Sequence, residues 1–368
     1  MHALAGTLHL VEKYLPPSLV CEAARQRLYQ VASALPAALS GCLYVECRSD
    51  DANNVDLIAD VNAAGRRILA GDDPVHHLPA SWRHHPSWAR IEMLARQWNR
   101  SDDPLQAMLS GAWLEFDLGR EPEQDHEQDH EQDYVSVPSL FIDFRESAYT
   151  APTVAARRTP LLHAAQILGH RISACTREML DKAIAKLPAD AALLYAGFML
   201  GRDTDAIRLC LNGLHRRQLP EYLRALQWPG DIAPLVDLVE WIASSDGGSQ
   251  DRPAIIHLDL SSDVGASIGL EYPFARVPQL RGTLAEAALL GALVRRGLLS
   301  GAQRDQLHAW PALERRTMPH ELHPSFFVRR VNHVKLVQDT AGRLATKIYL
   351  CAEQTPRSRS PRLAAAAM

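Results

Sequence analysis

The sequence predicts an α+β fold: a ten-stranded antiparallel β-barrel built from five α-β-β-α repeats, with the helices outside. Three observations predict it. Pairs of strand-like runs occur five times, a polar turn joins the members of each pair, and stretches with helical spacing precede and follow every pair.

The first pair is residues 41–49 and 54–62, joined through Asp50, Asp51, Ala52 and Asn53. Alternation puts Leu43, Val45 and Cys47 on one face and Tyr44, Glu46 and Arg48 on the other. The second pair is 112–118 and 138–144, separated by a tandem EQDH repeat too polar to pack, which reads as a loop insertion over 120–135. The third is 192–200 and 206–214, the fourth 254–260 and 266–274, and the fifth 327–337 and 344–352, turning through Asp339 to Gly342.

Residues 17–35, 63–70, 86–109, 152–187, 219–243 and 283–310 carry apolar residues at three and four spacing and read as helices. Short turns make each strand pair antiparallel, and ten such strands gain by closing on themselves, because closure removes exposed edges. First strands start 62 to 80 residues apart, too far and too unevenly for common solenoids, whose units run about 20–50 residues. Residues 1–353 are therefore expected to form one domain and 354–368 a disordered tail. A helical N-terminal subdomain beside a smaller barrel is the alternative.

Of 368 residues, 47% are hydrophobic and 22% charged, enough for a large core, and the formal charge of −4 gives no electrostatic reason to bind nucleic acid. No run reaches the roughly 18 apolar residues of a membrane span, and the N-terminus lacks a secretion signal, so a cytoplasmic protein is expected. Six cysteines without a CxxC pair read as core thiols.

One face of the alternating strands collects Glu46, Glu115, Asp117, Asp143, His257, Asp259 and Glu271, with Arg208, Arg329, Lys335, Lys347, Tyr195 and Tyr349 as counterparts. A barrel wall should be apolar where it meets outer helices, so these groups point to a wet lumen. On the fifth hairpin Arg329, His333, Lys335, Lys347 and Tyr349 share parity and can converge on one patch. Ordinary cross-strand ion pairs would use the same residues.

The order of elements over roughly residues 20–352 resembles the aromatic prenyltransferase superfamily known as ABBA, and Lys347-Ile348-Tyr349 is similar to the Lys-x-Tyr strand pattern with which that family holds a diphosphate. The resemblance implies transfer of an isoprenoid from an allylic diphosphate to an aromatic small molecule or a peptide side chain inside the barrel. It implies substrate-binding roles for Arg208, Arg329, Lys335, Lys347, Tyr349, Tyr195, His257 and Glu271, and acceptor-facing catalytic roles for Glu115 and Asp117. No cofactor is required on this reading; Mg2+ would enter with the diphosphate, and no all-protein metal site is visible. A monomer without nucleic-acid or membrane partners is expected. The rival reading, favoured by the excess of acids in the lumen, is a non-catalytic barrel or accessory protein that binds a peptide or small molecule in a biosynthetic pathway.

Other chemistries lack their motifs in the context that chemistry needs: there is no GxGxxG after a strand and no GxxxxGK[ST], HExxH occurs as His126 to His130 only inside the polar EQDH repeat, and GxSxG occurs as Gly265 to Gly269 only in the turn and strand of the fourth hairpin, with no helix following the serine. Asp50-Asp51, Asp72-Asp73 and Asp102-Asp103 read as turns or helix caps. His76-His77 and His84-His85 read as a loop, and Trp88 and Trp98 as core.

Overall fold

The computed structural model describes residues 3–119, 135–144, 154–245, 255–274, 284–316 and 325–355. The loop expected at 120–135 lies outside the described residues except for Val135, and the tail does so from 356 onward. Two residues given to that tail, Gln354 and Thr355, instead continue the last strand.

The strands are β1 (Cys42–Arg48), β2 (Val55–Val61), β3 (Gly111–Asp117), β4 (Ser139–Asp143), β5 (Ala192–Phe198), β6 (Ile207–Asn212), β7 (Ile255–Leu260), β8 (Val264–Pro273), β9 (Ala312–Arg316), β10 (Ser325–Asp339) and β11 (Leu344–Thr355). Each pairs antiparallel with its neighbours, and β11 pairs with both β10 and β1, so ten strands close a barrel. The sequence reading missed β9, a short polar run. It lies along the first half of β10, whose second half pairs with β8. Strand β10 has 15 residues, long enough to serve both neighbours.

Helices lie between the hairpins where the apolar spacing placed them, including Glu22–Ala34, Pro86–Trp98, Ala174–Ala185 and Gly301–Ala309. Their starts are chemically marked. Asn62 and Ser173 accept backbone N–H bonds from Gly65 and Thr176 at 2.8 and 3.0 Å, and Ser300 with Gln303 completes a capping box. Asp103 caps Pro104–Met108 in the same way. His85 caps Pro86–Trp98, which gives one of the paired histidines a local structural role.

The main core fills the space between barrel wall and helices. Leu43, Val45 and Cys47 of β1 face it, as do Leu114 and Phe116 of β3, and Trp88 stacks on Trp82 with ring centres 5.1 Å apart. Trp98 is buried in the same core. A second, smaller apolar cluster lies inside the barrel around Phe141, Tyr195, Met199 and Cys210. The two clusters on opposite sides of the same strands are the expected result of period-two alternation.

Alternation breaks at two bulges. In β5 the register shifts between Leu193 and Tyr195. In β10 it shifts between Val331 and His333, which leaves Asn332 as the extra residue. A bulge inverts the parity of everything beyond it. Counting back from His333 by twos puts Arg329 inside, but the bulge turns Arg330 inward and Arg329 outward.

Candidate active site

The barrel encloses a cavity of about 680 Å³. Of the residues predicted to face it, Glu115, Tyr195, Arg208, His257, Glu271, Lys335 and Tyr349 line it, and so does Asp143. Its apolar wall is made by Tyr44, Ile58, Trp113, Phe141, Ile255 and Phe274. The rings of Trp113 and Tyr195 lie 4.4 Å apart, and those of His333 and Tyr349 3.7 Å apart. Gly197 permits this wall, since a Cβ there would sit 2.4 Å from the Phe141 ring.

Five predicted residues do not line the cavity: Arg329, Asp117, Lys347, and the carboxylates Glu46 and Asp259, which pair with lumen cations. Arg329 points outward, where it stacks on Tyr14 at 3.6 Å and reaches Trp310 at 5.3 Å and Glu314 at 3.3 Å. The bulge at Asn332 is the cause. Asp117 has the expected parity but ends its strand, and it binds Arg202 at 2.9 Å. Lys347 points inward, yet its ammonium is bound to Glu46.

Glu46 organises the charged side of the lumen. It is 1% exposed, and burial alone would push its carboxyl up. The Lys347 and Lys335 ammoniums outweigh that effect and hold it well below the usual carboxylate range. Lys335 and Lys347 sit directly opposite each other on β10 and β11, a like-charge pair that is unfavourable by itself. The buried Glu46 carboxylate offsets it. Its Oε1 takes the Lys347 hydrogen bond, while its Oε2 lies 4.0 Å from Lys335 Nζ and accepts no hydrogen bond.

Lys335 is therefore an unusual cation. It is 5% exposed and makes no hydrogen bond among the described residues; Glu46 Oε2 lies 4.0 Å and the Tyr349 ring centre 5.1 Å from its Nζ, and Glu115, Lys347 and Arg208 act on it as neighbouring charges. Burial is the largest influence on it and lowers its proton affinity. Gly269 leaves room for its stem, since a Cβ there would come within 3.2 Å of Lys335 Cδ. Arg208 is different: it makes a bidentate bond to Asp259 at 2.7 and 2.8 Å. Burial would depress its pKa, but that carboxylate reverses the shift and keeps the guanidinium charged.

Burial and the nearby Lys335 and Arg208 charges push His257 well below the usual histidine value, so its ring is neutral. Its Nε2 lies 2.8 Å from Glu271 Oε2, and its Nδ1 lies 3.3 Å from Cys210 Sγ. A neutral ring fits both contacts by donating to Glu271 and accepting from the thiol. Burial, with Glu271 as the leading opposing charge, takes His333 down to about 4. Glu115 moves the other way: burial and the Glu46 charge raise it above the ordinary carboxylate value.

Asp56, 3% exposed, is raised further by burial and by the Glu46 and Glu115 charges, and its Oδ1 has no hydrogen-bond partner. A carboxyl that holds its proton more tightly when folded loses stability as pH rises from its unfolded pKa, about 3.9, through its folded one. Asp56→Asn is expected to stabilise the fold at pH 7 by about 1 kcal/mol or more. The gain should shrink as acid protonates Asp56 in the parent, which thermal melts between pH 4 and 8 would show.

Sequence reasoning missed Tyr44, Phe141, Cys210 and Arg330 as lining residues. Alternation already put Tyr44 on the Glu46 face, though without naming it as a lining residue, and counting on from Arg208 would have located Cys210. Arg330 needed knowledge of the bulge. The six cysteines are not all core: Cys175 is exposed, and Cys42 and Cys210 face the cavity.

No family model and no curated protein sequence matches the chain. Solved structures do. The 6-dimethylallyltryptophan synthase of Micromonospora olivasterospora, in complex with DMASPP and Trp, is 14% identical with a TM-score of 0.52, over 95% of this chain and 97% of that one. The prenyltransferase PriB, in a ternary complex with L-tryptophan and dimethylallyl thiolodiphosphate, is 14% identical with a TM-score of 0.53, over 98% and 100%. AnaPT from Neosartorya fischeri is 14% identical with a TM-score of 0.52, over 94% and 91%. From end to end of its described strands, the chain has the fold of the ABBA prenyltransferase barrels.

Proposed function

We propose that this barrel transfers an isoprenoid from an allylic diphosphate to an aromatic acceptor, either a small molecule or a peptide side chain. The observation that carries this reading is Lys335: a buried ammonium, without a hydrogen-bond partner among the described residues, at the wall of an aromatic chamber. Breaking the allylic carbon–oxygen bond leaves the electron pair on the diphosphate, and a fixed cation stabilises that growing charge. Tyr349, Tyr195 and Trp113 line the chamber, and aromatic rings there would stabilise an allylic cation and keep water from it. The acceptor ring supplies the electrons for the new bond and then loses a proton. Glu115, made more basic by burial and by Glu46, is suited to receive it.

Arg330 takes the diphosphate role that parity alone gives to Arg329. Arg330→Met is expected to weaken allylic diphosphate binding about tenfold, the loss of one charged hydrogen bond. Arg329→Ala should leave that affinity unchanged and instead cost about 1–2 kcal/mol through its stacking on Tyr14 and Trp310. Calorimetric titration beside thermal melts of both variants separates the two effects.

A second reading has its own observation. Asp60, Glu115, Asp143, Glu271 and Glu353 line the cavity against Arg208, Arg330 and Lys335, and Arg208 is already occupied by Asp259. That balance suits a non-catalytic barrel that binds a cationic or neutral guest. Calorimetry with dimethylallyl and geranyl diphosphate, followed by mass spectrometry of aromatic amino acids, phenols and peptides incubated with each donor, tests both. Donor binding and a prenyl mass increment support the transferase. Binding of neither donor would replace it with the accessory role.

A further inference from the structure

Two strands bring soft metal donors together at the cavity wall. Cys42 of β1 is the register partner of Glu353 on β11, and Cys351 lies two residues earlier on the same inward face. The Cys42 and Cys351 sulfurs are 3.0 Å apart, and one donor atom from each of the three residues falls within 4.8 Å of the others. Both thiols are buried, Glu353 is half-buried, and Cys42 and Glu353 line the cavity. We propose that Cys42, Cys351 and Glu353 bind a soft divalent cation of the zinc class, leaving an open coordination position toward the cavity.

The donor set argues for that class. Thiolates select zinc-like ions over magnesium or calcium, which prefer all-oxygen sites. A tetrahedral zinc ion about 2.0–2.3 Å from each donor spaces them roughly 3–4 Å apart, which side-chain torsions on neighbouring strands can reach from the spacing seen. On binding, two S–H bonds break, their protons go to solvent, and two metal–sulfur bonds form. The two thiolates and the carboxylate then carry three negative charges against two on the ion. Arg330 compensates for the remainder: it is the register partner of Cys351, and its Nη2 lies 3.7 Å from Glu353 Oε2. Three protein donors with a free fourth position is the arrangement of reactive zinc centres, in contrast to the closed four-donor sets of structural ones.

The inference is independent of the transferase reading, because its test measures bound metal. The full chain, kept reduced with a phosphine, would be equilibrated with zinc chloride, desalted and analysed for metal per chain; cobalt(II) would be titrated in parallel. The expected result is one zinc per chain and a thiolate-to-cobalt charge-transfer band in the near ultraviolet. Cys42→Ser and Cys351→Ser should each abolish the band, and Cys175→Ser should keep it. Glu353→Gln, at the half-buried rim where folding is least at risk, should weaken cobalt binding by about tenfold or more. Substoichiometric zinc, a band that survives either buried serine variant, or an affinity unchanged by Glu353→Gln would overturn the site. So would a Cys42–Cys351 disulfide that forms in the presence of saturating zinc once the reductant is removed, because the pair would then be a redox element.

Discussion

Lys335→Met should lower turnover of an allylic diphosphate by roughly 10²–10³-fold, the usual cost of removing one preorganised charge-stabilising donor, while thermal stability holds or rises. The two effects have one cause. Lys335 is a buried cation whose proton affinity burial depresses, and a base with a folded pKa below its unfolded value destabilises the fold at pH values below that unfolded value. Methionine fills a similar volume without the charge, and Glu46 keeps its bond to Lys347. Single-turnover kinetics with dimethylallyl diphosphate beside calorimetric melting reads both quantities. A variant that melts early and retains turnover would show Lys335 to be structural, and the proposed function would lose its main support.

Glu46→Ala should have the opposite profile, costing about 3–5 kcal/mol of stability, as expected when one partner of a buried ion pair is removed. Without it, Lys335 and Lys347 face each other across two paired strands with no buried anion between them. The pH dependence has a definite sign. Glu46 has its folded pKa held well below the usual range, so its contribution is complete above the unfolded carboxylate value, about 4.3, and disappears as pH falls through the folded one. Parent and variant should therefore differ most at neutral pH and converge in strong acid, which urea titrations across pH would check. Lys347→Ala belongs with this variant, because it too strands Glu46.

Strand positions were legible because period-two alternation and polar turns are local properties. All ten predicted runs coincide with barrel strands to within a few residues, apart from the longer β10 and β11. What failed was what depends on a partner. The β10 bulge is an extra residue relative to β11, so Arg329 and Arg330 could not be assigned to faces from β10 alone. Strand β9 escaped because Ala312–Arg316 is short and its signal lies in its pairing with β10. The excess of lumen acids was visible, but not that Asp259 occupies Arg208 or that Glu46 serves two lysines. Cys42 and Cys351 lie 309 positions apart, and only barrel closure brings them into contact.

That closure also shapes how the protein must fold. The seam joins β1 to β11, and Glu46 waits for a lysine 301 residues downstream. Contacts of such high order form slowly, and until the final hairpin docks, β1 presents an unpaired edge to other nascent chains. Assembly of this barrel should thus be late, cooperative and prone to intermolecular strand exchange, with chaperone demand concentrated at the last step.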